Sequence, residues 1–134
     1  MFQRTTSIDL QLEANSLDAA LMVMSYHDLY YFNPERGWGE TDVNSFMAQV
    51  KVALKPGARL VIIDHAALPG TGKESAQELH RIDEVFVRQE TEKLGFKFLT
   101  DSDVLRNPND DKSKMVFDKS VRGKTDRFVM AFTK

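Results

Sequence analysis

The sequence predicts an α/β domain built around a mostly parallel sheet. Two apolar runs, residues 17–24 and 59–64, are separated by residues 43–54, whose apolar positions recur with helical spacing. A strand, a helix and a second strand in this order form a right-handed crossover unit with parallel strands. The chain has 134 residues, so we expect one domain spanning residues 1–134.

Two strands are predicted in the first part of the chain. Over residues 8–12, apolar Ile8, Leu10 and Leu12 alternate with polar residues, which predicts a short half-buried strand. Residues 17–24 are apolar except for Asp18 and do not alternate. The absence of alternation is expected for a strand that is covered on both faces.

The helix over residues 43–54 has recognisable boundaries. It follows a loop over residues 33–42 that is marked by proline and glycine. Thr41 or Asp42 can cap its first turn. Pro56-Gly57 is expected to stop it, before the second buried strand begins.

The second half of the chain continues the alternation of helix and strand. After the loop that follows residue 65, we expect a helical region with a break near Asp83, which can cap a second segment, and a stop at Gly95. Residues 96–100 read as a strand, residues 101–124 as a long polar connection, and residues 126–133 as the last strand.

Composition excludes several classes of protein. The chain contains no cysteine, which excludes disulfides, thiolate metal sites and cysteine nucleophiles. Its net charge is -2, so nucleic acid is not an expected partner. No apolar run approaches the roughly 20 residues that span a bilayer, and the N-terminus lacks the apolar stretch of a signal peptide. We therefore expect a cytoplasmic protein with no membrane association.

Polar side chains are expected to gather at one edge of the sheet. In open α/β sheets, ligands bind beyond the carboxyl ends of the parallel strands. The strand over residues 17–24 brings a serine, a tyrosine, a histidine and an aspartate to that edge, and the strand over residues 59–64 brings an aspartate and a histidine. These residues are Ser25, Tyr26, His27 and Asp28, and Asp64 and His65; His80, the third histidine, lies in the next helix.

Three interpretations of these histidines remain open. His27 and His65 can simply bond backbone groups at the strand ends, or one of them can act as a general acid or base. A metal site formed by His27, Asp28, His65 and Asp64 is the third alternative. The chain has no H-E-x-x-H spacing, and our site assignments therefore include no metal.

Two other segments carry weaker signals. The segment "ALPGTGKES" is like a phosphate-binding loop, but Ala67 stands where the pattern needs glycine and Glu74 stands where it needs serine or threonine. A solvated turn is the better interpretation. The stretch from residue 106 to residue 127, which contains most of the polar connection, holds seven basic and four acidic residues. It is either a solvated loop or a loop that gathers an anionic ligand.

Several segments resemble class I S-adenosylmethionine-dependent methyltransferases. These are "LEANSLDAALMVMSYHDLYYF", "FMAQVKVALKPGARLVIIDH" and "LGFKFLTDSDVLRNP"; within them and beyond, "SYHDLY", "LHRID", "LRNPNDDKSK" and "VRGKTDRFVMAF" resemble a bacterial subgroup of predicted methyltransferases. The resemblance covers the chain from about Leu12 onward. It implies S-adenosylmethionine as the cofactor and a small molecule as the substrate.

The resemblance covers only the C-terminal half of that family's domain. By position, residues 17–24 correspond to the family's fourth strand, 59–64 to the fifth, 96–100 to the sixth and 126–133 to the antiparallel seventh. The implied structure is a partial Rossmann-like sheet with the order fourth, fifth, seventh, sixth. The Gly-x-Gly-x-Gly loop and the acidic residue that hold the cofactor in the first half have no counterpart in the chain.

The resemblance also implies roles for the residues at the sheet edge. His27 and Asp28 are assigned as catalytic, with His27 as the candidate base, and Ser25 and Tyr26 as cofactor-binding. The substrate-binding assignments are His65, Tyr30, Arg106 and Arg122. Tyr26, Tyr30, Tyr31 and Phe32 can wall a pocket for a sulfonium group, although helix packing competes for at least two of them.

Without a neighbour on its outer side, the strand over residues 17–24 is expected to be an exposed edge. Such an edge is a template for association, so we predict a homo-oligomer formed through this strand unless residues 8–12 cover it. The alternative to an enzyme is a non-catalytic, truncated half-domain that self-associates or pairs with a separate N-terminal half.

Overall fold

A computed structural model describes residues 5–6 and 8–134 of the chain. In this range no helix is long and apolar enough to cross a membrane. Two single turns of 3₁₀ helix, His27–Tyr30 and Pro34–Arg36, accompany the regular elements. The strands are β1 (Thr5–Thr6), β2 (Leu17–Val23), β3 (Glu40–Thr41), β4 (Leu54–His65), β5 (Lys97–Ser102) and β6 (Arg127–Thr133), and the helices are α1 (Val43–Ala53), α2 (Ser75–Leu79) and α3 (Glu84–Lys93).

The main sheet has four strands in the order β2-β4-β6-β5. β2 and β4 are parallel, whereas β6 is antiparallel to both of its neighbours. Three strands therefore run in one direction and only the last strand of the chain opposes them. This mixed sheet confirms the predicted α/β class. β1 and β3 form a separate parallel pair.

One face of the sheet carries the core. Leu60 and Ile62 of β4 and Phe132 of β6 are fully buried on this face, where they meet Met47 of α1 and Val87 of α3. Because residues alternate between faces along a strand, every second position of β4 and β6 contributes to the same layer. Burying each of these large side chains contributes about 1.5–3 kcal/mol to folding.

The opposite face of the sheet is open, which corrects the expectation that residues 17–24 are covered on both faces. Leu21 and Val23 are 67% and 51% exposed. Both pair in register with β4 residues of the same face, Val61 and Ile63, which are half-buried. The strand is apolar on both faces although the described part of the chain covers only one.

The prediction of a strand over residues 8–12 is wrong. These residues form an irregular segment that lies along α1. The Gln49 side chain accepts a hydrogen bond from the Leu10 N–H at 2.9 Å and donates one to the Ile8 carbonyl at 2.6 Å. Backbone groups that would otherwise pair with a strand are thus satisfied by a helix side chain, and this segment leaves the edge of β2 uncovered.

The boundary between α1 and β4 also differs from the prediction. Asp42 caps α1 as expected, since its side chain accepts from the Ser45 N–H at 3.0 Å. The helix ends at Ala53, and β4 begins at once with Leu54. Leu17 pairs with Leu54 but Ala19 pairs with Arg59, so Pro56-Gly57 forms a bulge inside the strand rather than a stop after the helix.

Asp83 fixes the loop between β4 and α3. As predicted, it caps α3 by accepting from the Val85 N–H at 3.0 Å. Its second oxygen accepts from the N–H groups of Gly70 and Gly72, at 2.8 and 3.4 Å. The loop that is like a phosphate-binding loop therefore turns two of its amides onto Asp83, in agreement with the predicted turn.

The two helix caps differ in the number of backbone N–H groups that they bind, one for Asp42 and three for Asp83, and this gives a stability prediction. Asp83→Ala should lower the free energy of unfolding by about 2–3 kcal/mol, because three backbone N–H groups lose a buried acceptor. Asp42→Ala, which removes one bond at an exposed cap, should cost about 1 kcal/mol. Urea denaturation measures both, and equal losses would contradict the role given to Asp83.

Candidate functional site

The three histidines of the chain meet at the carboxyl ends of β2 and β4. His27 lies in the 3₁₀ turn after β2, His65 ends β4, and His80 follows α2. The ring of His27 lies 5.9 Å from that of His65 and 5.4 Å from that of His80, measured between centroids. This confirms that the sheet brings all three to one edge.

Asp64 holds this cluster together from inside the core. Its carboxylate is fully buried and accepts from the backbone N–H of His27 and from that of His65, both at 2.8 Å. It also lies 2.7 Å from Nδ1 of His27. Since a carboxylate accepts hydrogen bonds, Nδ1 of His27 carries a proton toward Asp64, and Nε2 faces the other way.

On that other side, Nε2 of His27 lies 3.2 Å from Oδ1 of Asp28. Nδ1 of His80 lies 3.9 Å from the same oxygen. The side chains of Asp28 and His80 are 30% and 20% exposed, whereas that of His27 is only 5% exposed. The cluster therefore opens to solvent through Asp28 and His80.

The surroundings give the histidines different proton affinities. Burial alone would lower the pKa of His27, but its hydrogen bonds to Asp28 and Asp64 outweigh this and raise the pKa to about 9. Burial lowers the pKa of His65 to about 4, although Asp64 acts in the opposite direction. Burial and the positive charge of His27 lower the pKa of His80. At neutral pH, His27 is the charged member of the cluster.

The structure places Tyr26 in the core. Its side chain is fully buried, and its hydroxyl donates to the Glu90 carboxylate of α3, which also accepts from the Tyr30 hydroxyl. Burial and Glu90 raise the pKa of both hydroxyls above the ordinary tyrosine value. Tyr26 thus joins β2 to α3 rather than facing a cleft. Ser25, its neighbour, is half-buried, and its carbonyl accepts from the Asp28 N–H at 3.2 Å.

A cavity of about 550 Å³ lies beside the histidine cluster. Its walls combine aromatic rings with charged side chains, and Lys73 lies 5.3 Å from the centre of the Tyr30 ring. The predicted substrate residue Tyr30 lines the cavity, as do Tyr31 and Phe32, while His27, Asp28 and His65 do not. The remaining lining residues are Leu29, Glu40, Thr41, Lys73, Glu74 and Gln77.

The two arginines assigned to substrate binding differ in their surroundings. Arg106 contacts the carboxylates of Glu84 and Asp126, and its charge is therefore matched within the protein. Arg122 is exposed and lies 5.9 Å from the centre of the Phe117 ring, which in turn lies 5.5 Å from the His80 ring. Of the two, Arg122 reaches the neighbourhood of the histidines.

A buried ion pair next to the site was missed by the sequence interpretation. Arg81 is fully buried and donates to both carboxylate oxygens of Asp110, at 2.8 and 3.1 Å. It also donates to the carbonyl oxygens of Ala66 and Lys114. The partners are 29 residues apart, and the sequence "RID" predicted only a break in the helix at this point. The pair ties the long polar connection to the loop after β4.

This pair gives a prediction for the pH dependence of stability. Burial would raise the pKa of Asp110, but hydrogen bonds from Arg81 and from backbone N–H groups lower it below the ordinary aspartate value of 3.8. The ionised carboxylate therefore stabilises the fold above about pH 3.8, and this stability is lost as the pH falls through the lower folded pKa. Asp110→Asn should cost about 3–5 kcal/mol at pH 7, and less as the pH falls.

Chemical denaturation of wild type and Asp110→Asn between pH 7 and pH 3 measures this difference. Asp101→Asn changes an exposed carboxylate of β5 and serves as the matched control, with stability unchanged at both ends of the range. A cost of Asp110→Asn that stays constant with pH would contradict the account of this ion pair.

Comparison with known proteins identifies the fold. No protein-family model matches the sequence, and no curated protein matches it. Solved structures do match. The complex between the Haloferax volcanii Trm112 methyltransferase activator and a proposed methyltransferase gives a TM-score of 0.57 at 13% identity, over 93% of this chain and 57% of the matched chain.

Two further matches are of the same class. A SAM-dependent methyltransferase from Thermotoga maritima gives a TM-score of 0.56 at 17% identity, over 94% of this chain and 60% of its own. The Haemonchus contortus phosphoethanolamine N-methyltransferase 2 in complex with S-adenosyl-L-methionine gives 0.50 at 15% identity, over 92% and 34%. The chain spans about 60% of the length of the first two. The similarity over more than nine tenths of this chain shows that it shares the fold of S-adenosylmethionine-dependent methyltransferases.

Proposed function

We propose that the chain is an S-adenosylmethionine-dependent methyltransferase-like protein that acts on a small molecule, with its site at the carboxyl edge of β2 and β4. The observation that carries this proposal is the shared fold over more than nine tenths of the chain. The strand order β2-β4-β6-β5 supports it, because it equals the order fourth, fifth, seventh, sixth that the sequence resemblance implies.

The cavity beside the histidines suits part of the cofactor. S-adenosylmethionine, when bound, supplies a methyl group on a positively charged sulfonium. Aromatic faces attract cations, and Tyr30, Tyr31 and Phe32 line this cavity together with the carboxylates of Glu40 and Glu74. A volume of about 550 Å³ lies within the range of small-molecule sites. We assign the cavity to the cofactor or the methyl acceptor, and Ser25, in the segment that follows β2, stays a proposed cofactor-binding residue.

Tyr26 takes a supporting role in this proposal. Its ring and hydroxyl are engaged in the core with Glu90, the residue that also holds Tyr30. We propose that Tyr26 acts on the cofactor only through the position of the segment that follows β2. This narrows its assignment from a contact residue to a positioning residue.

His27 and Asp28 remain the proposed catalytic residues. Methyl transfer depends mainly on aligning the acceptor with the methyl group, and it needs a base only when the acceptor must lose a proton. Because its pKa is raised to about 9, His27 holds its proton at neutral pH. In the proposed site, both N–H groups of the imidazolium face carboxylates, and Asp28, the more exposed of the two catalytic residues, is the group that accepts a hydrogen bond from the methyl acceptor.

Of the two arginines among the substrate assignments, Arg122 is favoured over Arg106. Arg122 is exposed on the polar connection and has no carboxylate partner among the described residues. An anionic acceptor could approach it near His80. Arg106 is already matched by acidic side chains, and recruiting it would cost those ion pairs.

A second candidate function is favoured by the exposed β2 strand. The proposed alternative is a non-catalytic half-domain that self-associates, or pairs with a separate N-terminal half, through this strand. No described strand pairs with the outer edge of β2, and Leu21 and Val23 are exposed beside it. An apolar edge and face of this kind favour association.

Calorimetric titration with S-adenosylmethionine tests the first proposal. We expect saturable binding, with S-adenosylhomocysteine bound more weakly because it lacks the sulfonium charge. The double variant Glu40→Gln, Glu74→Gln should remove most of this preference, whereas Glu92→Gln, whose side chain pairs with Arg88, should keep it. Absence of saturable binding at millimolar ligand would overturn the proposal for this chain.

Sedimentation tests the second candidate. At micromolar concentration we expect a dimer or larger species that Leu21→Lys converts to monomer, because the new charge lies on the open face of β2. Val104→Lys is the matched control, since Val104 is 77% exposed on the polar connection and should leave association unchanged. A wild-type chain that sediments only as a monomer would count against self-association.

A further inference from the structure

Three side chains at the mouth of the histidine cluster are arranged as ligands for one ion. One ring nitrogen each of His27 and His80 and a carboxylate oxygen of Asp28 all lie within 4.8 Å of one another. We propose that these residues bind a divalent transition metal ion of the zinc type. This inference goes beyond methyl transfer and does not rest on it.

The distances fit the geometry of such an ion. Zinc binds imidazole nitrogen and carboxylate oxygen at about 2.0–2.2 Å, which places tetrahedral ligand atoms about 3.3 Å apart. Nε2 of His27 lies 3.2 Å from Oδ1 of Asp28, and Nδ1 of His80 lies 3.9 Å from it. The first distance matches the spacing of tetrahedral ligand atoms, and the second exceeds it by about 0.6 Å.

The hydrogen bond that usually supports a metal-binding histidine is also present. A histidine that binds a metal usually donates its other ring N–H to a carboxylate, which fixes its tautomer and orientation. Asp64 provides this contact to Nδ1 of His27 at 2.7 Å, and Asp64 is itself fixed by the backbone N–H groups of His27 and His65. Nε2 is thereby directed toward Asp28 and His80.

His80 is held in place by its neighbours on both sides. Its ring packs against Tyr31 at 4.8 Å with an interplanar angle of 33°, and against Phe117 at 5.5 Å. Its backbone is left-handed, with φ of 54°, at the end of α2. The next residue, Arg81, is bound to Asp110 in the core, and this ion pair fixes the position of the backbone that carries His80.

The donor set also indicates which ion binds. Two imidazoles and one carboxylate favour zinc, cobalt or nickel over magnesium and calcium, which prefer oxygen ligands. Three protein ligands with solvent access on the side of Asp28 and His80 leave a position for water or substrate, as in catalytic rather than structural zinc sites. A bound ion requires Nε2 of His27 to lose its proton, so the ion and the imidazolium form of His27 exclude each other.

Cobalt provides a direct probe. The chain has no cysteine and only three histidines, so a tag-free, chelator-treated protein has little competing background. Titration with Co²⁺ should produce visible absorption that saturates at one ion per chain, and Zn²⁺ should displace it. His80→Ala should weaken binding at least tenfold; as His80 is partly exposed, this variant is expected to fold, which circular dichroism verifies.

Two further variants separate a metal site from a hydrogen-bonded network. Asp64→Asn keeps all three ligands but alters the contact to Nδ1, and it should weaken Co²⁺ binding about 10–100-fold. Asp101→Asn makes the same chemical change at an exposed position of β5 and should leave binding unchanged. Absence of saturable Co²⁺ absorption, or binding that His80→Ala leaves intact, would overturn the proposal.

Discussion

The buried carboxylate of Asp64 is the group on which the rest of the site depends. It is fully buried at the carboxyl ends of two parallel strands. There it accepts hydrogen bonds from the backbone N–H groups of His27 and His65 and from the His27 ring. A buried carboxylate is tolerated only with such partners. The position of His27 and the outward direction of its Nε2 follow from this one arrangement, and its raised pKa depends on Asp28 together with Asp64. The placement of Asp28 also follows from it, because Asp28 adjoins His27 in the same short turn.

Much of the fold follows from local patterns in the sequence. The two apolar runs, the spacing of α1 and the caps Asp42 and Asp83 predicted the helices and the main strands, because these signals act within a few residues. The errors arose where tertiary contacts decide. The backbone groups of Ile8 and Leu10 bond to the Gln49 side chain of α1 instead of to a neighbouring strand. Pro56-Gly57 forms a bulge within β4.

The candidate site was predictable only in part, for a related reason. Topology places the carboxyl ends of parallel strands together, and this was enough to expect His27, Asp28, Asp64 and His65 at one edge. The contacts that define their chemistry join residues far apart in the chain. Tyr26 meets Glu90 over 64 residues and Arg81 meets Asp110 over 29, and no local pattern indicates such pairs. Tyr26 is consequently a core residue, although the family resemblance implied that it binds the cofactor.

The central claim is that Asp64 fixes the proton on Nδ1 of His27 and directs Nε2 outward. Nitrogen–proton correlation spectra of the imidazole rings, recorded on metal-free protein, test it directly. The account predicts a slowly exchanging Nδ1–H signal for His27, and a neutral ring for His65 throughout the neutral pH range because its pKa is lowered to about 4. A His27 ring whose Nδ1 carries no proton, or exchanges it as fast as an exposed histidine, would contradict the account.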